Sequence, residues 1–274
     1  MVGVGNAIVD VITQADDDFV SEQGLVKGSM TLIEDDRAHQ LYDLMGPGIE
    51  ASGGSAANTM AGVASFGGTS SYIGKVSSDV LGTVFAHDMR AIGVNFDVAA
   101  ASEGPATARC LILVTPDAER TMSTYLGISS FLEPDDVDAA TVEAGRLLFC
   151  EGYLWDVESA KQAIRHAMDL ARAAGRRSSL TLSDTFCVER HHAEFRDLVA
   201  GRVDVLFAND AELAALYGTT DLDAGLAAVG ADVELACVTL GERGSVLVQQ
   251  SDIIEVPPVL VDRVVDTTGA GDQY

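Results

Sequence analysis

RLLFCEGYLWDVESAKQAIRHAMDLARAAGRRSSLTLS, residues 146–183, carries one full unit of the fold. Arg146–Cys150 is apolar and of strand length. Within Val157–Ala174, the residues Ala160, Ile164, Ala167, Met168, Ala171 and Ala174 recur on one helical face, and Gly175 follows as a stop. Leu180–Ser183 is again a short apolar run. A strand, a one-faced helix and a second strand in succession predict a mostly parallel sheet with helices on both faces.

Working outward, the alternation continues. Val2–Val11 is a mostly apolar run of strand length. Gly54–Phe66 reads as a helix ended by Gly67-Gly68, and Ser71–Lys75 as a short strand. Asp79–Ile92 reads as a helix with Asp79 as N-cap and Gly93 beyond its end. Val205–Ala208 and Ala236–Leu240 are further short apolar strands. Asp184, Asn209 and Gly241 fall at strand ends, where such sheets bind ligands. Two stretches break the rhythm. Residues 12–48 contain a strand-like Ser29–Ile33; residues 95–128 hold Ala108–Val114 and Thr121–Tyr125 around the turn Pro116-Asp117-Ala118-Glu119. The expected division is an α/β core of residues 1–11, 49–94 and 129–274, with residues 12–48 and 95–128 forming a small β-sheet lid over the site.

Composition narrows the partners. Hydrophobic residues make up 47% of the 274, ample for a buried core. The formal net charge of −25 argues against nucleic acid and anionic membranes as partners. It leaves nucleotides open, because a divalent metal and backbone dipoles offset phosphate charge locally. Cys110, Cys150, Cys187 and Cys237 are widely spaced in apolar surroundings, so reduced, buried thiols and a cytoplasmic location are expected. The N-terminus reads straight into a strand, without the basic region and cleavage site of a signal peptide, and no apolar run reaches the length of a membrane span.

The chemistry concentrates in four places. Gly269-Ala270-Gly271-Asp272, preceded by Asp266-Thr267-Thr268, joins a glycine-rich turn to a carboxylate. Glycines let main-chain N–H groups approach an anion, and an acid beside such a hole can take the proton of an attacking hydroxyl. Asn209-Asp210-Ala211-Glu212 places an amide and a carboxylate three apart at a helix start. That pattern suits magnesium, directly or through its waters, and equally a capping box. Thr239-Leu240-Gly241-Glu242-Arg243-Gly244 is a turn that can pass close to a nucleotide, or a plain β-turn. Gly53-Gly54-Ser55-Ala56-Ala57-Asn58 opens a helix, with backbone for a substrate to rest on and Asn58 to bind a hydroxyl. Asn6 and Asp10 are polar groups on an apolar strand and need partners, which sugar hydroxyls would supply.

Other signatures are missing. Gly3-x-Gly5 runs on to Ile8 rather than a third glycine, and there is neither a P-loop nor a G-x-S-x-G elbow. His191-His192 reads as a solvated pair in a polar helix, and Asp16-Asp17-Asp18 as a solvated turn.

Together these residues resemble the ribokinase-like (PfkB) family of sugar and nucleoside kinases, over nearly the whole chain. Gly-Gly-x-x-x-Asn at 53–58 is similar to the family's first signature, Asp266–Asp272 to its second, and Asn209–Glu212 to its N-x-x-E element. The resemblance implies a three-layer αβα core with a β lid, ATP and Mg2+, and phosphoryl transfer to a primary hydroxymethyl group. It makes Asp272 the base and Gly269, Ala270 and Gly271 the anion hole. Asn6, Asp10, Gly53, Gly54 and Asn58 would hold the acceptor; Asn209, Thr239, Gly241, Gly244 and Thr267 would face the nucleotide. Glu212 and Asn209 would organise magnesium, through water. Gly5–Asp10, Gly53–Thr59, Arg120-Thr121-Met122 and Ser183–Phe186 look most like the adenosine kinase branch, with Tyr125, Leu126, Phe131 and Phe186 as candidates for a base slot. Sugar kinases of the same family, for ribose, fructose or a keto-deoxy sugar acid, are the alternative acceptor class. Family members continue past the second signature, so the chain is expected to be a fragment, and a non-catalytic nucleoside- or sugar-binding protein is the alternative of another class.

Overall fold

A computed structural model describes residues 1–259 and 269–274. Among the described residues the larger sheet has nine strands: β1 (Val2–Val4), β5 (Ser70–Ile73), β6 (Val94–Asn95), β9 (Leu147–Glu151), β10 (Arg177–Thr181), β11 (Val205–Asn209), β12 (Leu235–Thr239), β13 (Ser245–Gln249) and β14 (Asp252–Val256). Their spatial order is β14-β13-β12-β11-β10-β9-β1-β5-β6, and β13 alone runs against the rest, pairing antiparallel with both β12 and β14. The smaller sheet holds β2 (Ile8–Gln14), β3 (Met30–Leu32), β4 (Ile49–Gly53), β7 (Ala108–Val114) and β8 (Arg120–Tyr125), in the order β3-β8-β7-β2-β4.

Helices α5 (Ala139–Ala144), α6 (Glu158–Ala173), α7 (Thr185–Arg190), α8 (His192–Arg202), α9 (Asp210–Tyr217) and α10 (Leu222–Asp232) belong with one face of the larger sheet. Helices α3 (Ser55–Ser65) and α4 (Val80–Ile92) pack on the other face through Met60, Tyr72, Phe85, Met89, Phe96 and Phe149. The periodicity of α6 is realised: Ala160, Ile164, Ala167, Met168 and Ala171 are buried. Helix α4 begins at an Asp79 carboxylate that accepts from Gly82 N and ends at Gly93 in the left-handed region (φ 100°), where a Cβ would be strained. The short helices α1 (Asp17–Glu22) and α2 (Asp35–Leu44) lie with the smaller sheet, around Val11, Leu41 and Leu111.

The structure divides the apolar run Val2–Val11. Its first part pairs in parallel with β5 and β9, and its second part, from Ile8, pairs with β4 and β7 in the other sheet. The break falls at Gly5–Ala7. A Cβ on Gly5 would sit 2.3 Å from a Glu151 carboxylate oxygen, and the Asn6 N–H is taken by that same side chain. The ladder therefore cannot continue. Residues 8–11 and 49–53, which the alternation assigns to the larger unit, stand in the smaller sheet. The expected hairpin is present as β7 and β8, antiparallel across a turn closed by Thr115 N–H to Glu119 O. No helix among the described residues is long and apolar enough to cross a membrane. The four cysteines are buried and free.

Candidate active site

A cleft of about 1220 Å³ lies between the inner face of the smaller sheet and the carboxyl ends of β10, β11 and β12. Asp10, Gly54, Asn58, Asn209, Glu212, Thr239, Gly269, Gly271 and Asp272 all line it. Segments more than two hundred residues apart in sequence thus meet in one hollow. Asn6, Gly53, Ala270, Gly241 and Gly244 are not in its wall, and Thr267 falls outside the described residues.

Asp272 is held from three sides by helix α3. Its Oδ1 accepts from Ser55 Oγ at 2.8 Å, its Oδ2 from Asn58 Nδ2 at 3.0 Å, and its main-chain oxygen from Thr59 Oγ1 at 2.9 Å. Ser55, Asn58 and Thr59 stand at i, i+3 and i+4, one face of the first turn. Asn58, expected to hold a sugar hydroxyl, thus also donates to the carboxylate. Ser55 and Thr59 are additions to the sequence reading. The signal for them was the helical spacing after the glycine pair. Gly269 has φ +71°, and nothing lies within 4 Å of where a Cβ on Gly271 would be, so that turn faces open space.

The end of the cleft under the smaller sheet is carried by Asp10 on β2. Burial pushes its carboxyl up to about 6; nearby Arg120 opposes the rise and the charge of Asp272 adds to it. The glycine pair serves this geometry. A Cβ on Gly53 would lie 2.5 Å from Asp10 Cγ, and Gly54 (φ +100°) leaves room for the Asn6 carbonyl. Asn6 itself is buried and bonded within the protein: Nδ2 donates to Glu151 Oε1 at 2.7 Å, and Oδ1 accepts from Ser129 Oγ at 2.9 Å. Its partner is Glu151, which sequence reasoning missed because a single acid at the end of an apolar strand carries no motif.

Cys110, Ile112 and Val114 alternate along β7 and, with Met122 on β8, face the cleft as an apolar wall. Tyr125, Leu126, Phe131 and Phe186 do not line it; Phe186 is 70% exposed. The base-slot candidates are corrected accordingly. Aromatic content is a poor guide where period-two alternation on a half-buried sheet puts aliphatic side chains inward.

At the other end, Asn209 and Glu212 form the capping box in full. Asn209 Oδ1 accepts from Glu212 N at 2.8 Å, Glu212 Oε2 from Asn209 N at 3.0 Å, and Asn209 Nδ2 donates to Glu212 Oε1 at 2.8 Å. Glu212 is buried, and desolvation raises its pKa; the nearby charges of Asp184 and Asp210 are negative and add to the rise. Gly241–Arg243 is a single 3-10 turn that joins the antiparallel β12 and β13. Gly244 (φ +91°) has Val256 O 2.2 Å from where a Cβ would sit, which makes it a packing glycine under β14. Of the pair expected to be solvated, His192 is exposed, whereas His191 is partly buried between α7 and α8, with Nε2 2.7 Å from Asp156 Oδ1.

Comparison with known proteins agrees with this architecture. The family model described as pfkB family carbohydrate kinase matches residues 48–274. A crystal structure of adenosine kinase from Sinorhizobium meliloti is 51% identical, with TM-score 0.91, covering 100% of this chain and 84% of that one. A probable sugar kinase from Rhizobium etli CFN 42 is 46% identical, also with TM-score 0.91, covering 99% and 82%. Among curated proteins, a probable fructokinase-4 from Arabidopsis thaliana is 29% identical over 238 residues, 82% of this chain and 71% of its own.

Proposed function

The chain belongs to the pfkB family of carbohydrate kinases, phosphotransferases that act on hydroxyl groups, and from that premise we propose that its acceptor is adenosine, phosphorylated at the primary hydroxymethyl group by ATP. The observation that carries the reading is Asp272, fixed by Ser55 and Asn58 at the rim of a cleft whose far wall is apolar. A carboxylate offers about four lone-pair positions. Two are used by α3, which leaves others to accept the proton of an incoming hydroxyl. Asp10 receives the acceptor's ring hydroxyls, and Ile112, Val114 and Met122 give a flat base an apolar surface. A free sugar has no use for that wall. The 51% identity to an adenosine kinase along the whole chain supports the same choice.

The residues do the following work. Asp272 takes the hydroxyl proton as the oxygen attacks the γ-phosphorus of ATP in line, and the bond from that phosphorus to the bridging oxygen breaks to release ADP. The main-chain N–H groups of Gly269, Ala270 and Gly271 hold charge on the transferring group. Thr239 and Asn209 border the nucleotide end. Glu212 and Asn209 fit magnesium through its water shell rather than directly, because their own oxygens and amide are already committed to the capping box. Glu212 is a buried carboxylate surrounded by negative neighbours, which favours a cation nearby. When bound, that ion supplies positive charge to phosphate oxygens. The smaller sheet excludes water from the acceptor end.

The sugar-kinase reading is favoured by the fructokinase relatives and by the probable sugar kinase at 46% identity. A radiolabelled-ATP assay of adenosine against fructose and ribose decides between them. Adenosine is expected to give the highest kcat/KM. A higher value for either sugar would reverse the assignment, and transfer to none of the three would remove it.

A further inference from the structure

Among the described residues the chain crosses between the two sheets four times: at residues 5–7, at Gly54, between β6 and β7, and after β8. One buried side chain gathers three of these crossings. Glu151 ends β9 in the larger sheet and is 1% exposed. Its Oε1 accepts from Asn6 N at 2.7 Å and from Asn6 Nδ2 at 2.7 Å, which ties down the first crossing. Its Oε2 accepts from Ala56 N at 3.0 Å, which ties down the second at the start of α3. Ser129, in the turn Gly127–Phe131 after β8, donates to Asn6 Oδ1 at 2.9 Å and brings in the return crossing. The remaining crossing is held separately, by Asp79 accepting from Thr107 N at 2.8 Å and Thr107 Oγ1 at 2.7 Å. The carboxylate's place is built into its surroundings: Gly5 lacks the Cβ that would strike it at 2.3 Å.

The same contact reaches the chemistry. Ala56 follows Ser55 and lies within the turn that presents Ser55, Asn58 and Thr59 to Asp272. Asn6 lies one residue before Ala7, which leads into β2 and Asp10. We infer that Glu151 is a positioning residue for phosphoryl transfer: its carboxylate fixes the smaller sheet over the cleft and the first turn of α3 against Asp272, so that both carboxylates that meet the acceptor take their places from it. This rests on the kinase reading of Asp272.

Burial also pushes the Glu151 carboxyl up to about 7, against the three N–H groups that favour its ionised form. The groups electrostatically coupled to it are Asp272, Tyr72, Cys150, Tyr153 and Cys187. Burial raises the last four, which keeps them protonated and neutral, so the negative charge that Glu151 faces is that of Asp272. The ionised form accepts all three N–H groups, and activity should rise as the pH passes through about 7.

The test compares the protein with its Glu151→Gln and Gly5→Ala variants. Glutamine keeps the size but aims an N–H at Ala56 N–H; alanine at position 5 pushes the carboxylate aside. Each is expected to lower kcat/KM for the acceptor about 100-fold, the scale of an ångström of misplacement, with KM for ATP nearly unchanged. The limb of the pH profile near 7 should vanish in Glu151→Gln. Hydrogen exchange should quicken at Asn6 and Ala56 while α6 stays protected, a readout independent of turnover. If Glu151→Gln does not fold, Ser129→Ala, which removes the hydroxyl's bonds to Asn6 Oδ1 and Leu126 O but leaves the Glu151 carboxylate and its three N–H donors in place, should give the same pattern several-fold weaker. Unchanged kinetics and exchange in an active protein would overturn the inference and leave the kinase reading standing. A loss spread equally over ATP, acceptor and the protection of α6 would overturn it too, as plain destabilisation. A wild-type protein that transfers no phosphoryl group would overturn the kinase reading, and this role with it.

Discussion

The two ends of the cleft are built by opposite means. The end that we assign to the nucleotide is local: Asn209 and Glu212 satisfy each other across three residues. The end that we assign to the acceptor is assembled from afar: Asp10, Ser55 and Asn58, Glu151, and Asp272 come from four separate stretches. Local construction is self-sufficient. Its polar groups are paired as soon as the helix forms. Long-range construction buries acids whose charge is poorly paid for by partners, and Asp10 and Glu151 are both pushed up in pKa by burial. Strain of this kind is stored where binding and chemistry occur. The contrast predicts where substitutions will act on turnover and where they will act only on the fold.

The largest effect should come from the acceptor end. Asp272→Asn is nearly isosteric and keeps one oxygen to accept from Asn58, with its amide N–H turned to donate to Ser55 Oγ, but it removes the proton acceptor, and kcat should fall roughly 10²- to 10⁴-fold. Acceptor affinity, measured by calorimetry, should change little. Retained kcat would show that the base lies elsewhere, and would erase the difference between the two ends.

Next comes a stability effect of the buried acid. The folded pKa of Glu151, about 7, lies above its ordinary value of 4.5. A raised pKa means that the stabilising contribution is whole below about 4.5 and is lost as pH rises through about 7. The stability of the protein minus that of Glu151→Gln should therefore shrink by about 3 kcal/mol across that window. Taking the difference between the two proteins cancels the general repulsion of a chain with net charge −25. Urea midpoints at several pH values would measure it. A difference that stays flat would mean that Glu151 is not desolvated as its surroundings require.

What the sequence revealed follows the same division. Helices α4 and α6, the β7–β8 hairpin and the Asn209–Glu212 box were legible because periodicity, caps and turn residues are local signals. The glycine-rich turn with Asp272 was legible as a motif and meets Asp10 and Asn58 in one cleft. The split of Val2–Val11 into two sheets was not, since the apolar run continues through Ala7 and only the distant Glu151 interrupts it. Asn6 was misread for the same reason: its partner is 145 residues away and already supplies its hydrogen bonds. The apolar wall of Cys110, Ile112 and Val114 was written in alternate positions of β7, but which face of that strand turns inward depends on pairing with β2.

Asp10 gives a smaller effect than Asp272, and one that separates binding from chemistry. A hydrogen bond to an ionised group contributes about 1.5–3 kcal/mol, so Asp10→Asn should weaken acceptor binding roughly 10- to 100-fold. With a carboxyl at about 6, the affinity of the unaltered protein should rise as pH passes upward through 6, and that rise should be missing from Asp10→Asn. Isothermal titration with adenosine between pH 5 and 8 reads both. A pH-independent affinity in the unaltered protein would place the acceptor away from Asp10.

The smallest effect belongs to the local end and tests the comparison from the other side. Asn209→Ala removes the side-chain acceptor of Glu212 N–H and the donor to its carboxylate, while leaving the strand and the cleft wall in place. Loss of such a cap costs about 0.5–2 kcal/mol of stability, readable as a lowered unfolding midpoint. Because the box is self-contained, acceptor affinity should be untouched, and KM for MgATP should rise only modestly through the loosened Glu212. A change in adenosine affinity from Asn209→Ala would show that the two ends are coupled through the sheet, and that the cleft responds as one body rather than as two separately built halves.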